Sequence, residues 1–552
     1  MKIPTYAQPI KNRVRQKILS HAVRALTTDR EHSSIIRPDE FSETLDYAAA
    51  FMRKLGRNGH LSAEIKSYAQ EWLTFLGTTT RQKTPQELRV LYLCGPEPQN
   101  DLEVLTGLGV LPQHVWAIES ERDVYRQAIA QLKQNESFIR VHHGGLETFL
   151  DMNNDIFDII YIDACGPLPG GDPNTLRAPI NIFYRERLAP LGALITNFAH
   201  PGADNIERYE HILRYYFAPR YEDVPRAVNE EGEKILAWGL SPEELADFIS
   251  AHFQESYSEF ITRFLVDLGR GIIPYARIYS NPDVRKKYFA KDKTLAEVER
   301  KATNLPPMPM DDESPEEYME RFYRSTGDAV LNSYGYPILA FMMNLSEDKE
   351  LDQLVQWLIR QPIGNNAIKS LKEPFVRATL LAELVEGHVD AASPEVMAAL
   401  TNSWFDLKLM RSGAFFCDIP MPHLLINSLF GIYGHPYFGN PRASLRLSYV
   451  AKETRMYTDV LLMDQCRYYF DYLPTIDLFP RRFESWAYQL ILRTCLDRIG
   501  RHDFSSSSHP FRGAALAGFG DISSDGPFDF GPRVDENKEW PATSDLNPQE
   551  DQ

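Results

Sequence analysis

The sequence predicts a doubly wound α/β domain built on a parallel sheet. Between residues 88 and 198, five short apolar runs alternate with segments of helical periodicity. The first run, Val90–Cys94, is followed at once by the turn residue Gly95, and the second, Val115–Ile118, ends on the acid Glu119. Such alternation is typical of open sheets with helices on both faces, in which ligands bind at the carboxyl ends of the strands.

Each predicted element follows from local pattern. Apolar runs bounded by turn residues indicate strands buried on both faces, and they lie at Val90–Cys94, Val115–Ile118, Phe138–Val141, Phe157–Asp163 and Ala193–Phe198. Helices are expected from Leu102 onward and at Arg122–Lys133, Leu146–Leu150, Ile180–Leu188 and Ile261–Leu268. Asn100 and Asp101 supply capping chemistry for the first helix. The run Ile272–Ser280 predicts a strand that closes the sheet edge.

Shifts in composition divide the chain into five parts. Residues 1–87 form a helical cap, with helices at Phe41–Leu55 and Ser62–Leu76, and residues 88–303 form the α/β domain. The proline-rich acidic stretch 304–317 predicts a linker. Residues 318–502 predict an all-helical C-terminal domain, with helices at Asp348–Arg360, Pro374–Glu386 and Pro394–Leu407. Serines, glycines and excess acids over 503–552 predict a disordered acidic tail.

Composition limits the class of protein. The 552 residues are too many for one core, and 43% hydrophobic residues suffice for globular packing. A net charge of −17 argues against a general binder of polyanions. The five cysteines contain no C-x-x-C pair, which predicts a reducing compartment and no structural metal. The N-terminus lacks a long apolar core, so a soluble, cytoplasmic protein without a membrane partner is expected.

The turn after the first strand restricts the ligand. It reads C-G-P-E-P and so lacks the G-x-G-x-x-G fingerprint that an NAD-dependent enzyme would need. Glu97 within the turn would repel a phosphate at the start of the following helix. A cationic or zwitterionic ligand therefore fits better than a dinucleotide.

Residues 88–198 resemble a class I S-adenosylmethionine-dependent methyltransferase domain with a Rossmann-like sheet. The matching features are the strand ending at Gly95, the acid Glu119, and His143-Gly144-Gly145 after the third strand. The FDIIYID strand that ends in Asp163 and the segment RERLAPLGALITNF complete the set.

The resemblance implies S-adenosyl-L-methionine as the cofactor. The cofactor-binding residues would be Gly95, Pro96, Glu97, Asp101, Glu119, Gly144 and Gly145. The methionine part would lie beside Gly95 and its turn, with Glu97, Asn100 or Asp101 near the sulfonium or amino group, unless Asn100 and Asp101 only cap the helix. Glu119 would accept hydrogen bonds from both ribose hydroxyls, and the Gly144-Gly145 corner would border the adenine.

Asp163 is the catalytic residue that the resemblance implies, at the point where the methyl acceptor meets the sulfonium. A carboxylate there can orient a nucleophile, take its proton or bind a metal beside it. The sequence Asp163-Ala164-Cys165-Gly166-Pro167 matches neither the D/N-P-P-Y/F pattern of amine-methylating enzymes nor the Pro-Cys pair of cytosine C5 enzymes. Nucleic acid, protein and small molecules all remain open as acceptors, and so does self-association.

Departures from the family pattern leave a second hypothesis. The first turn has a single glycine, and Gly145 stands where the family often has an acid beside the adenine amine. A non-catalytic scaffold or interaction protein on a degenerate methyltransferase fold would also fit. The two hypotheses differ in whether Gly95, Glu119 and Asp163 line one open pocket.

Four further features have two interpretations each. Cys165 is a nucleophile or a small residue in a tight turn. His142 and His143 are catalytic, or one is exposed and the other packs, because neighbours on a strand point to opposite faces. Residues 170–173 are a lid or a surface loop. The stretch His435–Arg482 interleaves aromatic and basic residues, which fits single-stranded nucleic acid, but its five acids favour a packed helical core.

Overall fold

The computed structural model describes most of the α/β domain and parts of the flanking regions. It covers residues 9–35, 80–164, 166–170, 174–217, 242–279, 437–465 and 530–537, with positions 70, 73, 74, 76–78, 314, 348, 353, 415, 416, 419 and 420 in addition. Among their helices, none is both long enough and apolar enough to cross a bilayer.

The described residues form one large sheet with its covering helices, apart from a separate pair of two-residue strands at Phe415–Phe416 and Ile419–Pro420. The strands are β1 Val90–Leu93, β2 Val115–Glu119, β3 Arg140–His143, β4 Phe157–Asp163, β5 Leu188–Ala199, β6 Phe438–Gly439, β7 Leu445–Ala451, β8 Thr454–Asp464 and β9 Val534–Asp535. The helices are α1 Pro9–Leu26, α2 Arg30–Ser33, α3 Gln99–Gly107, α4 Arg122–Gln134, α5 Leu146–Met152, α6 Asn174–Tyr184, α7 Ile206–Phe217, α8 Pro242–Ala251 and α9 Phe253–Tyr279.

The sheet is mixed, with strand order β3-β2-β1-β4-β5-β8-β7-β9, and β6 also pairs with β8. Strands β1 to β5 are parallel, which confirms the α/β fold expected for this part of the chain. Strand β8 runs antiparallel to β5 and brings its hairpin partner β7 into the same sheet. The carboxyl ends of β1, β2 and β4 therefore meet at one edge.

Both faces of the sheet are covered. On one face, α1, α3 and α4 contribute to a cluster of buried side chains with β1, β4 and β7, which includes Tyr92, Tyr161 and Leu447. On the other face, Phe149 of α5 packs against Trp116, and Phe183 of α6 packs against Tyr437. Six of the seven residues of β4 are buried, as expected for a central strand between two helical layers.

Two predicted element types are wrong. Residues 437–465, which the sequence placed in a helical core, form β6, β7 and β8 of the main sheet. Strand β8 pairs with both β5 and β7 over Met456–Val460, and every residue from Met456 to Asp464 is buried. The alternation that identifies a strand is therefore missing from its sequence. Residues 272–279 of the strand predicted at Ile272–Ser280 are instead the end of helix α9, and it is β8 that pairs along the edge of β5. Ser280 lies outside the described residues.

The prediction of a disordered tail over 503–552 is also wrong in part. Val534 and Asp535 form β9, which pairs in parallel with β7. The predicted helix Ile180–Leu188 is shifted to Asn174–Tyr184, and β5 begins at Leu188. The helix Phe41–Leu55 and the three helices predicted between 348 and 407 lie outside the described residues, apart from two isolated positions. Linker 304–317 and the remaining domain boundaries stay predictions.

Candidate functional site

A pocket of about 430 Å³ opens at the carboxyl edge of the parallel strands. Its walls come from the ends of β1, β2 and β4, the corner after β3, and helices α1, α3, α4, α5 and α6. All eight site residues predicted from the sequence line it: Gly95, Pro96, Glu97, Asp101, Glu119, Gly144, Gly145 and Asp163. Gly95, Glu119 and Asp163 thus share one open pocket, which is the arrangement that a catalytic site requires and a decayed one need not retain.

The turn after β1 keeps the pocket open. Gly95 has a φ of +58°, and a Cβ built on it would meet no atom within 4 Å. The backbone conformation, rather than crowding, is therefore the reason for glycine here. The Tyr92 hydroxyl donates to the Pro98 carbonyl at 2.8 Å, which fixes the turn from below. The proline-flanked turn borders the pocket without filling it.

Helix α3 begins without the caps predicted from the sequence. Its N-cap position is Pro98, and no side chain caps the helix. Asn100 donates through Nδ2 to Glu97 Oε2 at 2.9 Å instead, and Asp101 turns toward α1. The capping interpretation of Asn100 and Asp101 is wrong, because other partners engage both side chains at the pocket wall.

Arg15 of α1 completes this wall, and sequence reasoning missed it. Its Nε lies 2.9 Å from Asp101 Oδ1. Burial raises the pKa of Asp101 to about 6; the charge of Asp163 adds to the rise, and Arg15 opposes it. No sequence signal joins two residues that are 86 positions apart. Helix α1 of the predicted N-terminal cap thus contributes a side chain to the pocket wall.

Glu119 ends β2 with a half-buried carboxylate. Its Oε1 accepts a hydrogen bond from the Glu121 backbone N–H at 2.7 Å, which orients the group at the pocket edge. Within the described part of the chain, no lysine or arginine comes within ion-pairing distance of it. The carboxylate is therefore oriented but not neutralised, as a ligand-binding acid would be.

The corner after β3 brings the backbone close to the pocket. Gly144 has a φ of +154°, and a Cβ there would lie 2.8 Å from His142 Nε2. Glu147, two residues beyond Gly145, lines the same pocket. Sequence reasoning missed Glu147. Gly145 stands where the family often has an acid, and this could have directed attention to the acid two positions further on.

The two adjacent histidines point in opposite directions. His142 packs on Phe149 at 5.1 Å between ring centroids, whereas the exposed His143 contacts Tyr125 at 4.9 Å. Burial lowers the pKa of His142. This geometry agrees with the packing interpretation, and neither histidine lines the pocket.

Asp163 is held by a chain of hydrogen bonds that leads into the core. Asn197 of β5 donates through Nδ2 to Asp163 Oδ1 at 2.6 Å. Thr458 of β8 donates to Asn197 Oδ1 at 2.7 Å, which fixes the orientation of the amide. The Tyr449 hydroxyl also contacts Asn197, at 3.1 Å. The hairpin that was predicted as helical therefore supports the candidate catalytic acid.

Charge distinguishes this pocket from an anion site. Among the described residues, its lining contains one basic side chain, Arg15, and six acids: Glu97, Asp101, Glu119, Glu121, Glu147 and Asp163. Cys94 also lines it, but burial raises the pKa of its thiol to about 12, so it is inert as a nucleophile. Cys165 and residues 171–173 lie outside the described residues. The surplus of carboxylates favours a ligand that carries positive charge.

The strand order, with an antiparallel β8 between β5 and β7, is typical of the methyltransferase fold. No family model matches the chain, and no curated protein sequence matches it. Over roughly a third of its length it matches solved structures.

One match is the YcgJ protein from Bacillus subtilis, with 17% identity, a TM-score of 0.19, and coverage of 27% of this chain and 59% of that one. Another is an S-adenosylmethionine-dependent methyltransferase from Clostridium acetobutylicum, with 12% identity, a TM-score of 0.17, and coverage of 30% and 57%. A third, from Staphylococcus aureus, is described as a caffeoyl-CoA O-methyltransferase, with 13% identity, a TM-score of 0.17, and coverage of 35% and 84%.

The chain covers less than two thirds of the first two of these structures. The similarity to methyltransferase structures thus extends over a segment of the chain. TM-scores this low carry no argument about activity. Any conclusion about function has to come from the pocket itself.

Proposed function

We propose that the pocket binds S-adenosyl-L-methionine and that the protein transfers the methyl group to an acceptor. The observation that carries this proposal is the convergence of an oriented acid after β2, a supported acid after β4 and a glycine turn after β1 on one acidic pocket. Ligands of open α/β sheets bind at this edge. The size of the pocket also lies in the range of small-molecule sites.

The residues present fit the chemistry of the cofactor. The oriented carboxylate of Glu119 can accept both ribose hydroxyls, as a charge-assisted contact. Arg15, the basic group of the described lining, suits the cofactor carboxylate, while Glu97 and Asp101 suit its ammonium group. Gly144 and Gly145 line the part of the pocket where the adenine ring would lie. The acidic lining complements the positive sulfonium.

The chain's own residues would perform the transfer mainly by positioning. When bound, the cofactor supplies a methyl group already activated by its sulfonium charge. Asp163 accepts a hydrogen bond from the acceptor's O–H or N–H and can take the proton onto its carboxylate. Asn197 holds that carboxylate in place by donating a hydrogen bond from Nδ2 to Asp163 Oδ1. Orientation of the two reactants then provides most of the rate.

Calorimetric titration with S-adenosylmethionine and S-adenosylhomocysteine tests the proposal. We expect micromolar binding by the wild-type protein. Glu119→Gln should weaken it by about 30- to 100-fold, because a charge-assisted hydrogen bond is lost. Glu103→Gln is the matched control, since Glu103 is exposed on α3 and does not line the pocket.

Two results would contradict the proposal. Absence of binding at millimolar ligand would favour the scaffold hypothesis, in which the sheet is retained without its cofactor. Equal losses for Glu119→Gln and Glu103→Gln would mean that the ligand binds elsewhere. The acceptor is left open by this experiment and would be sought afterwards among protic nucleophiles.

A further inference from the structure

Residues 530–537, here called the strap, add strand β9 to the edge of the sheet beside β7. Arg533 is the main anchor. Its Nε donates to Ser258 Oγ at 2.8 Å, its Nη2 donates to Thr262 Oγ1 at 3.0 Å, and its Nη1 pairs with Asp459. Nη1 also donates to the Leu447 carbonyl at 2.9 Å. A guanidinium with this many directed partners fixes the strap to β7, β8 and α9.

The strap also holds helix α1, through Glu536. This carboxylate is fully buried, and its Oε1 lies 2.5 Å from Lys17 Nζ. Arg13 Nε lies 3.3 Å from Oε2 of the same carboxylate. The Glu536 backbone N–H donates to the Ser448 carbonyl at 2.9 Å, which seats the residue on β7. A buried carboxylate is stable only with such partners, so the position of α1 and that of the strap depend on each other.

Helix α1 is held from two sides. Arg13 and Lys17 are four residues apart and share one flank of the helix. Arg15 lies about 200° around the axis from Arg13, on the flank that reaches the pocket. Between the flanks, Val14 and Ile18 are buried against the core. Glu536 of the strap therefore pairs with one flank of α1, and the Arg15–Asp101 ion pair lies on the opposite flank.

We propose that Glu536 is a positioning residue for ligand binding: it holds α1 so that Arg15 faces the pocket. This inference rests on the proposed function, in which Arg15 binds the carboxylate end of the cofactor. A segment near the C-terminus thereby sets the affinity of a pocket built from the N-terminal half of the chain. Loss of the Glu536 contacts lets α1 shift, so that Arg15 no longer faces the pocket. The sheet itself stays folded.

The test is S-adenosylhomocysteine titration of the full chain with Glu536→Gln. We expect a loss of affinity of about 2- to 30-fold, the range typical of residues that act on a site through another element. Asp535→Asn is the matched control, because Asp535 belongs to the same strap but pairs with Arg455 rather than with α1. The control should leave the affinity unchanged.

An Arg15→Met background separates positioning from general stability. If Glu536 acts through Arg15, Glu536→Gln should cause no further loss of affinity in that background. An equal loss in both backgrounds would overturn the inference, as would destabilisation by Glu536→Gln without a change in affinity.

Hydrogen exchange on the ligand-free protein keeps the test independent of the cofactor. Glu536→Gln should speed exchange of the α1 amides relative to Asp535→Asn. Unchanged exchange would overturn the inference. If the wild-type protein binds neither compound, the proposed function fails, and faster exchange in α1 would still support its dependence on Glu536.

Discussion

Strand β5 separates two regions of the sheet: the hairpin side, with β7 and β8, and the pocket side, with β1, β2 and β4. Their carboxylates differ in whether each one is paired with a cation. On the hairpin side, Asp459 is almost fully buried and pairs with Arg533, and Glu259 pairs with Arg446 at 2.7 Å. Although burial raises it, the pKa of Glu259 is lowered overall by the charges of Arg446 and Arg263. On the pocket side, six acids share one arginine among the described lining residues.

This difference indicates which charges serve the fold and which serve a ligand. A buried carboxylate that has its own cation is part of the packing, and its removal leaves an uncompensated charge. A cluster of acids without matching cations raises the energy of the folded protein through mutual repulsion. Such a cluster is explained more readily by a cationic ligand than by stability.

The largest expected effect is on the hairpin side. Asp459→Asn leaves Arg533 buried without its charged partner, so we expect the free energy of unfolding to fall by about 3 to 5 kcal/mol. Urea unfolding measures it. Asp123→Asn removes an exposed ion pair with Arg126 and should change stability by less than about 1 kcal/mol. A cost for Asp459→Asn as small as that of the control would remove the contrast between the two sides.

A smaller effect, dependent on pH, is expected on the pocket side. The pKa of Asp101 is raised from its ordinary value of 3.8 to about 6 in the folded protein. The folded state thus binds more protons than the unfolded state between these values. The stability that this group contributes is complete below 3.8 and is lost as the pH rises through about 6, by at most about 3 kcal/mol.

Asp101→Asn does not titrate and tests this difference. Unfolding experiments from about pH 4 to pH 7 should give a wild-type stability that declines relative to the variant as the pH rises. Glu103→Gln, on the exposed face of α3, should keep the wild-type slope. A wild-type stability that instead rises relative to Asp101→Asn would mean that the pairing with Arg15 outweighs burial, and Asp101 would then resemble the acids of the hairpin side.

The sequence predicted the pocket side well, for local reasons. Strand β4 was predicted with its exact ends, and all eight predicted site residues line one pocket. Apolar runs, the turn at Gly95 and the acid at Glu119 are each encoded within a few residues, so period and turn chemistry suffice to place them.

The hairpin side was predicted poorly because its determinants are not local. Strand β8 pairs with β5 across more than 250 positions of sequence, and its buried faces give no alternation. Tertiary packing brings Arg15 to the pocket, and it connects Thr458 to Asn197 and Glu536 to α1. Nothing near any of them in sequence indicates the partner, so their roles required the fold.

The smallest expected effect lies where the two sides meet, at the chain from Thr458 through Asn197 to Asp163. Thr458→Val removes the donor to Asn197 Oδ1 and leaves that buried oxygen unsatisfied, which should cost about 1 to 2 kcal/mol in urea unfolding. Thr454→Val, at the exposed start of β8, should cost less than about 0.5 kcal/mol.

A double-mutant cycle of Thr458→Val with Asp163→Asn then measures whether Asp163 is energetically coupled to the hairpin. Thr458 fixes the Asn197 amide, and that amide holds Asp163, so the two substitutions should couple by at least about 0.5 kcal/mol. Coupling of this size would mean that the hairpin energetically supports the candidate catalytic acid. Additive effects would mean that the hairpin does not stabilise Asp163 and that its own strand orients it. The two sides of β5 would then be energetically independent at this point.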